Sequence, residues 1–421
     1  MTFIGLCLSV LVSSAHALTL PSTSCTKAGD KRCTIDSANL GKIGSGLPFD
    51  LGGYTRIGSG FVDPAENAVY VPVEQGSQED RQGAIYKVDL ATGNRTIISG
   101  YDGEEWHGNG VDYIDSNGAK STAYDLGRVE VVRPGPSGSL LALVDKGLSH
   151  RTEIIRIDRK TGDRTLVWAS KVFDDSAREG PTSIRTIEAQ RFNVSSATLC
   201  EGGQGQRMVG LKPSETFETD GKNIYLFMPN QPSGSGIGLI SVPLTGGKCT
   251  WVSQYWPDGT STAGSGPTIN TLSPLVFASA LTEGKFFAAT GPNPGGNILF
   301  SVDLATGQRA TVSALSENNP ARRKGEGDSP LGFRHRMGLI DDTLLTLGVD
   351  SNDDAFDPVA VDIHNGERLA LEARSGTLKI GADQFINVVA GIPGTVKFVI
   401  YFKGALHIYD AETGDSYVLS Q

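Results

Sequence analysis

A chain of 421 residues with a formal net charge of −10 has no general electrostatic attraction for nucleic acid or for an anionic membrane surface. Its 53 glycines and 20 prolines, with no long window of helical periodicity, exclude a helical bundle and suit a large all-β domain of short strands and turns.

The first 17 residues hold an apolar run and end in Ala15-His16-Ala17, an Ala-x-Ala cleavage pattern. A signal peptide is expected at 1–17, and with it a secreted or periplasmic location. The run is too short to span a membrane. Residues 18–53 follow as an N-terminal segment and 54–421 as the main domain. Removal of the leader takes Cys7 and leaves Cys25, Cys33, Cys200 and Cys249. In an exported protein these read as two disulfides, Cys25 with Cys33 and Cys200 with Cys249. Metal binding by the same cysteines lacks both CxxC spacing and a nearby histidine.

Residues 84–99 write out an entire β-hairpin. Ile85, Lys87 and Asp89 alternate with Tyr86, Val88 and Leu90, β-branched residues dominate 96–98, and Asp89-x-x-x-Gly93 links the arms. The Asp side chain can accept from nearby backbone N–H groups, and Gly93 can take the positive φ that a bulged turn needs. The unit recurs at 156–165, 301–309, 361–368 and 408–416, and a copy at 241–249 carries Pro243 in place of the Asp. Two further strand-like runs precede each hairpin. Four strands per unit, repeated six times, predict a six-bladed β-propeller of four-stranded antiparallel blades. A seventh blade, drawn from 37–55 or from the stretch after Ser170, stays open.

This turn and strand grammar resembles that of the exported bacterial β-propellers related to the NHL and SMP-30-like superfamilies. The resemblance covers nearly the whole chain and implies a fold shared by enzymes and binding proteins alike.

In such a ring the outer-to-inner crossings and the second-to-third loops open on one face, and here they are the long ones. The crossings include 101–127, 171–206, 255–271 and 316–332, against short turns at the other end. Residues opening the inner strands are expected to converge on that face beside the central channel. They are Tyr54, Arg56, Tyr124, Asp125, Arg128, Arg207, Arg334, His335 and Arg336. A basic and aromatic ring on an acidic protein points to an anionic ligand. The competing reading is that these arginines tie blades together through carbonyls and carboxylates.

Among the histidines, His335 and His107 are the candidates for chemistry, whereas His364 and His407 read as structural. His107 lies in a loop with Glu104, Glu105, Trp106 and several glycines. β-Elimination from a uronate needs a cation for the carboxylate, a base for the C5 proton and an acid for the leaving oxygen. Arg334, Arg336, Arg207, Arg128 and Arg56, with Trp106, supply substrate contacts; His335 or His107 the base; and Tyr124 or Tyr54 the acid. That inventory is similar to what propeller polysaccharide lyases use. Glycoside hydrolysis instead needs two facing carboxylates, with Glu104, Glu105, Asp112, Asp125 and Asp174 as candidates. Asp350, Asp353, Asp354 and Asp357 offer hard oxygen ligands for calcium, though no EF-hand pattern is present, and no cofactor is otherwise required.

The leading expectation is an exported lyase or hydrolase acting on an acidic saccharide. A non-catalytic surface or periplasmic binding propeller, using aromatic loops around Trp106, Tyr113, Tyr255 and Trp256, is the rival. A calcium-dependent lactonase or phosphatase is the third reading. The expected partner is an anionic saccharide or small molecule bound by a monomer, with no nucleic acid and no membrane.

Overall fold

The Asp-x-x-x-Gly turn folds by the mechanism its residues imply. Asp89 Oδ1 accepts hydrogen bonds from the Ala91 and Thr92 backbone N–H groups at 3.0 and 2.7 Å and from the Thr92 hydroxyl at 2.8 Å. Gly93 sits at φ +74°, in the left-handed region. Asp158, Asp303 and Asp362 make the same pair of amide bonds, each followed by a left-handed glycine.

The computed structural model describes residues 44–49, 55–75, 82–110, 113–114, 120–121, 126, 128–145, 152–169, 216–230, 236–245, 249–255, 263–267, 276–290, 298–314, 324–326, 338–340, 343–349, 356–370, 387–402, 404–410 and 416–421. Together they form a six-bladed β-propeller of antiparallel meanders. Blade 2 runs Arg128–Pro134, Leu140–Asp145, Thr152–Ile157 and Arg164–Ala169 from inner to outer strand. Blade 3 runs Glu218–Thr219, Asn223–Asn230, Gly236–Pro243 and Thr250–Tyr255. Blade 4 spans Val276–Thr282 to Arg309–Ala314, and blade 5 Gly338–Ile340 to Arg368–Ala370. Blade 6 runs Asn387–Gly391, Lys397–Phe402, Ala405–Asp410 and Ser416–Ser420.

Blade 1 departs from the pattern. Its inner strand, expected to be continuous, is split into Arg56–Ile57 and Phe61–Asp63, both paired with the second strand Ala68–Gln75. Gly58, Ser59 and Gly60 between them send their backbone bonds three ways. The Gly58 N–H donates to Pro72 O in its own blade, Ser59 exchanges bonds with Glu130 and Val132 of blade 2, and the Gly60 N–H donates to Val389 O of blade 6. A Cβ on Gly60 would lie 1.9 Å from Tyr70 O, so only glycine fits there.

Neighbouring blades are held by a device that repeats with the hairpin. Six residues past the turn aspartate, an arginine opens the outer strand and reaches a serine on the outer strand of the preceding blade. The four bonds are Arg164 to Ser99 at 2.8 Å and Arg309 to Ser253, Arg368 to Ser313 and Arg95 to Ser420, each at 2.6 Å. The same guanidinium groups donate to carbonyls of a glycine-rich segment: His107 and Gly108, Pro267 and Gly266, Lys324, and Leu47 and Gly46. Each arginine's own N–H donates to that segment too, at Asn109, Ser265, Glu326 and Ser45.

At three of these junctions the glycine-rich segment follows the preceding blade's outer strand. At the junction of blades 6 and 1 it is Gly44-Ser45-Gly46, from the stretch placed outside the propeller by sequence. Phe49 completes this latch, 1% exposed, with ring centroids 5.3 Å from Tyr86 of blade 1 and 6.4 Å from Tyr401 of blade 6. Residues 44–49 therefore join the ring instead of adding a seventh blade.

His407, on the third strand of blade 6, is structural as expected: it is fully buried beside the Phe402 ring. Burial pushes its imidazole down to about 4, against a smaller upward pull from the Phe402 backbone. The unfolded chain then binds this proton more readily than the folded one, so the contribution to stability is whole above the ordinary value and is lost as pH falls towards 4. Urea unfolding is expected to lose roughly 3 kcal/mol between pH 7 and pH 4 from this residue, and His407→Leu to lose correspondingly less.

Candidate functional site

Arg56 and Arg128 open the inner strands of blades 1 and 2. They do not stand free. Arg56 Nη2 is 3.4 Å from Glu130 Oε2 of blade 2, and Arg128 Nε is 3.3 Å from Glu74 Oε2 of blade 1 and in contact with Glu130 Oε1. Both carboxylates are buried, with side chains 1% and 3% exposed. Two cations and two anions thus meet across one blade junction, which matches the reading in which the arginines tie blades together.

Farther along the channel a second polar layer crosses from blade to blade. Arg133 donates through Nε and Nη2 to both carboxylate oxygens of Glu218, at 2.9 and 2.8 Å, and through Nη1 to Ser59 Oγ and Gly60 O. Ser279 of blade 4 donates to Glu218 at 2.8 Å and is itself in contact with Thr216. A buried bidentate pair with its remaining hydrogen-bonding sites occupied fixes four blades around one axis.

Trp106 and His107 lie elsewhere. They form a short fifth strand on the outer edge of blade 1, paired with Gly100 and Tyr101, at the far side of the blade from the channel. Trp106 packs against Tyr101 and beneath Arg164. His107 Nε2 is 2.7 Å from Asp102 Oδ2. The Glu105 backbone N–H, together with the Glu104 N–H and the His107 ring, holds the Asp102 carboxyl down to about 2. Through its carbonyl His107 serves the Arg164 clamp, a role that Lys324 fills in the loop between blades 4 and 5. Asp102, Glu105 and His107 bring three ligand atoms within 4.8 Å of one another, a set that a cation could share only by displacing the Asp102–His107 bond.

Of the other predicted residues, Tyr54, Tyr124, Arg207, Arg334, His335, Arg336, Asp350, Asp353 and Asp354 lie outside the described residues, as do Cys25, Cys33 and Cys200. Asp357 stands in the third strand of blade 5, opposite Gly348. Cys249 is disulfide-bonded, to a partner outside the described residues.

A cleft of about 1130 Å3 opens between blades 2 and 3. It is lined by the short turns of both blades, so it lies at the end of the propeller opposite the long loops. Blade 2 contributes Ser137, Arg156, Asp158, Asp163 and Thr165, and blade 3 contributes Lys222, Asn223, Pro243, Leu244 and Thr245. Arg156 Nη2 crosses to Leu244 O at 3.1 Å. Both acids of this lining are held below the usual carboxylate range. The Thr161 and Lys160 N–H groups do so for Asp158, and the Asn109 N–H, with the Thr161 side chain, for Asp163.

Sequence reasoning passed over Glu74, Glu130, Arg133 and Glu218. The available signal was a lone charge in an apolar strand, as in Val129-Glu130-Val131-Val132, where burial demands a partner. The cleft had no such signal, because its walls are turns joined only in space.

No protein-family model matches the chain, and no curated protein matches it. Solved structures similar to it include the propeller domain of the Trilobed protease from Pyrococcus furiosus, at 9% identity over 88% of this chain and 99% of that one, TM-score 0.41. TolB from Acinetobacter baumannii matches at 14% identity over 75% of this chain and 55% of its own, TM-score 0.38. A puromycin-hydrolysing peptidase from Mycobacterium tuberculosis matches at 12% identity over 87% of this chain and 53% of its own, TM-score 0.39. The chain spans about half the length of the last two, and the likeness is one of fold alone.

Proposed function

We propose that the protein is a non-catalytic binding propeller, exported and monomeric, that takes a saccharide in the cleft between blades 2 and 3. The observation that carries this reading is the chemistry of the lining. Hydroxyl, amide, carboxylate, ammonium and guanidinium groups face one concavity from two blades, with Pro243 and Leu244 as apolar floor. Hydrolysis in the same cleft would require one carboxyl to keep its proton near neutral pH. Asp158 and Asp163 are both shifted the other way, which suits them to accept hydrogen bonds from sugar hydroxyls rather than to hold a proton for donation. Lys222 gives the cleft a cation for a uronate.

A second reading, an enzyme acting on a saccharide at the channel mouth, would draw on the buried Glu74 and Glu130 carboxylates beside the Arg128 guanidinium. Kinship with the NHL and SMP-30-like propellers would suit either reading.

One experiment tests both. The purified protein is titrated calorimetrically with neutral and uronate-containing oligosaccharides, and each mixture is then assayed for new reducing ends and for absorbance near 235 nm. Binding without product is expected, with Lys222→Ala and Thr165→Trp weakening it by about tenfold or more. Product formation that Glu130→Gln abolishes and Lys222→Ala leaves alone would replace the first reading with the second.

A further inference from the structure

The junction that holds the cleft is one of two at which the repeated clamp is replaced; at the other, between blades 5 and 6, Ser416 stands in the arginine position. At four junctions an outer-strand serine meets the arginine of the next blade, as Ser99–Arg164, Ser253–Arg309, Ser313–Arg368 and Ser420–Arg95. Between blades 2 and 3 both members change together: Trp168 occupies the serine position and Cys249 the arginine position. Cys249 is disulfide-bonded. It packs with Val167, Trp168 and Leu244 in the core that blades 2 and 3 share. Leu244 and Thr245, just ahead of it in the same turn, line the cleft.

We infer that the disulfide at Cys249 is the covalent counterpart of the serine–arginine clamp and that it sets the width of the cleft. The statement about the junction stands by itself; the statement about ligand affinity rests on the binding reading above. A guanidinium clamp needs a small hydroxyl partner and a carbonyl-presenting loop within about 3 Å of each other. An indole at the serine position removes the first, so that clamp cannot form between blades 2 and 3. A disulfide holds a junction by fixing two Cα atoms within about 7 Å.

Sequence names the other half. The Gly-x-Gly that each clamp loop carries, at 44–46, 108–110, 264–266 and 325–327, recurs between blades 2 and 3 as Gly203-Gln204-Gly205. Cys200 stands just before it, which assigns the tether to Cys200 and Cys249.

Reduction by a dithiol breaks the S–S bond at Cys249. The reductant supplies two electrons and two protons, leaving two thiols here and a cyclic disulfide on the reductant. The junction then lacks both the clamp and its replacement.

Hydrogen exchange of the full chain, with and without dithiothreitol, tests this. Exchange in residues 237–255 is expected to quicken by about tenfold on reduction, while residues 309–314, held by a serine–arginine clamp, stay unchanged. Cys249→Ser is expected to show the fast exchange without reductant and no response to it. Unchanged exchange at 237–255 on reduction, or a Cys249→Ser protein that still responds, overturns the inference. Non-reducing peptide mapping is expected to join Cys249 to Cys200; a link to Cys25 or Cys33 overturns the tether. Saccharide titration of both redox states separates the two claims. A change in affinity that accompanies the change in exchange supports the whole. Faster exchange with equal affinity overturns the link to the cleft. Faster exchange with no saccharide bound in either state retires the binding reading and leaves the junction as inferred.

Discussion

Replacing Arg133 with methionine is expected to destabilise the propeller by roughly 3–5 kcal/mol, read from the denaturant midpoint, because it leaves a charge buried without its partner. Glu218 accepts two of the Arg133 bonds and one from Ser279, and all three residues are at least nine-tenths buried. Methionine keeps the length and apolar stem of the side chain, so the loss is electrostatic rather than a cavity. Replacing both, Arg133→Met with Glu218→Leu, is expected to recover most of the loss. The interior then holds no uncompensated charge, although Ser59 and Ser279 each lose a partner. A double variant as unstable as the single one would mean that the layer acts through packing and not through charge.

Phe49→Ala is the second large effect, about 3–5 kcal/mol for an aromatic side chain removed from a filled core. Its position makes the loss specific. The ring fills the seam between Tyr86 and Tyr401, and the Arg95 guanidinium lies 5.4 Å above it. The latch is expected to loosen before the blades do. Hydrogen exchange would then quicken first in Ser416–Ser420, while the clamp of Arg309 on Ser253 stays protected. A stability change below about 1 kcal/mol would show that Gly44-Ser45-Gly46 holds the ring without it.

The blades were legible because a hairpin is a local object. Asp89, Thr92 and Gly93 carry their turn in their own side chains and backbone, so the six copies can be read by eye. The clamps use the same stretches and were not read, since each arginine finds its partners on another blade. In retrospect the spacing Arg95–Ser99 and Arg309–Ser313 marks them, together with the Gly-x-Gly segments, which resemble ordinary loop glycines until the contact is seen. His107 shows the converse error of emphasis. A histidine among acids and glycines has the composition of a site, but its segment is the clamp loop of blade 1, and its carbonyl is what Arg164 uses. Of the channel ring, Arg56 and Arg128 were placed correctly along the strands. Their charge was not balanced in that reading, because Glu74 and Glu130 reach them across a blade junction.

The latch also dictates a timetable. Arg95 and the Ser420 it must grip are 325 residues apart, so at ordinary rates of translation they are made roughly a quarter of a minute to a minute apart. Through that interval the apolar side of blade 1, with Ile57, Val71 and Tyr86, waits for Ile408, Tyr417 and Leu419 of blade 6 to cover it. The first blade is therefore the one that needs guarding while the chain is being born, and the outer strand of blade 6 is the one that ends its exposure.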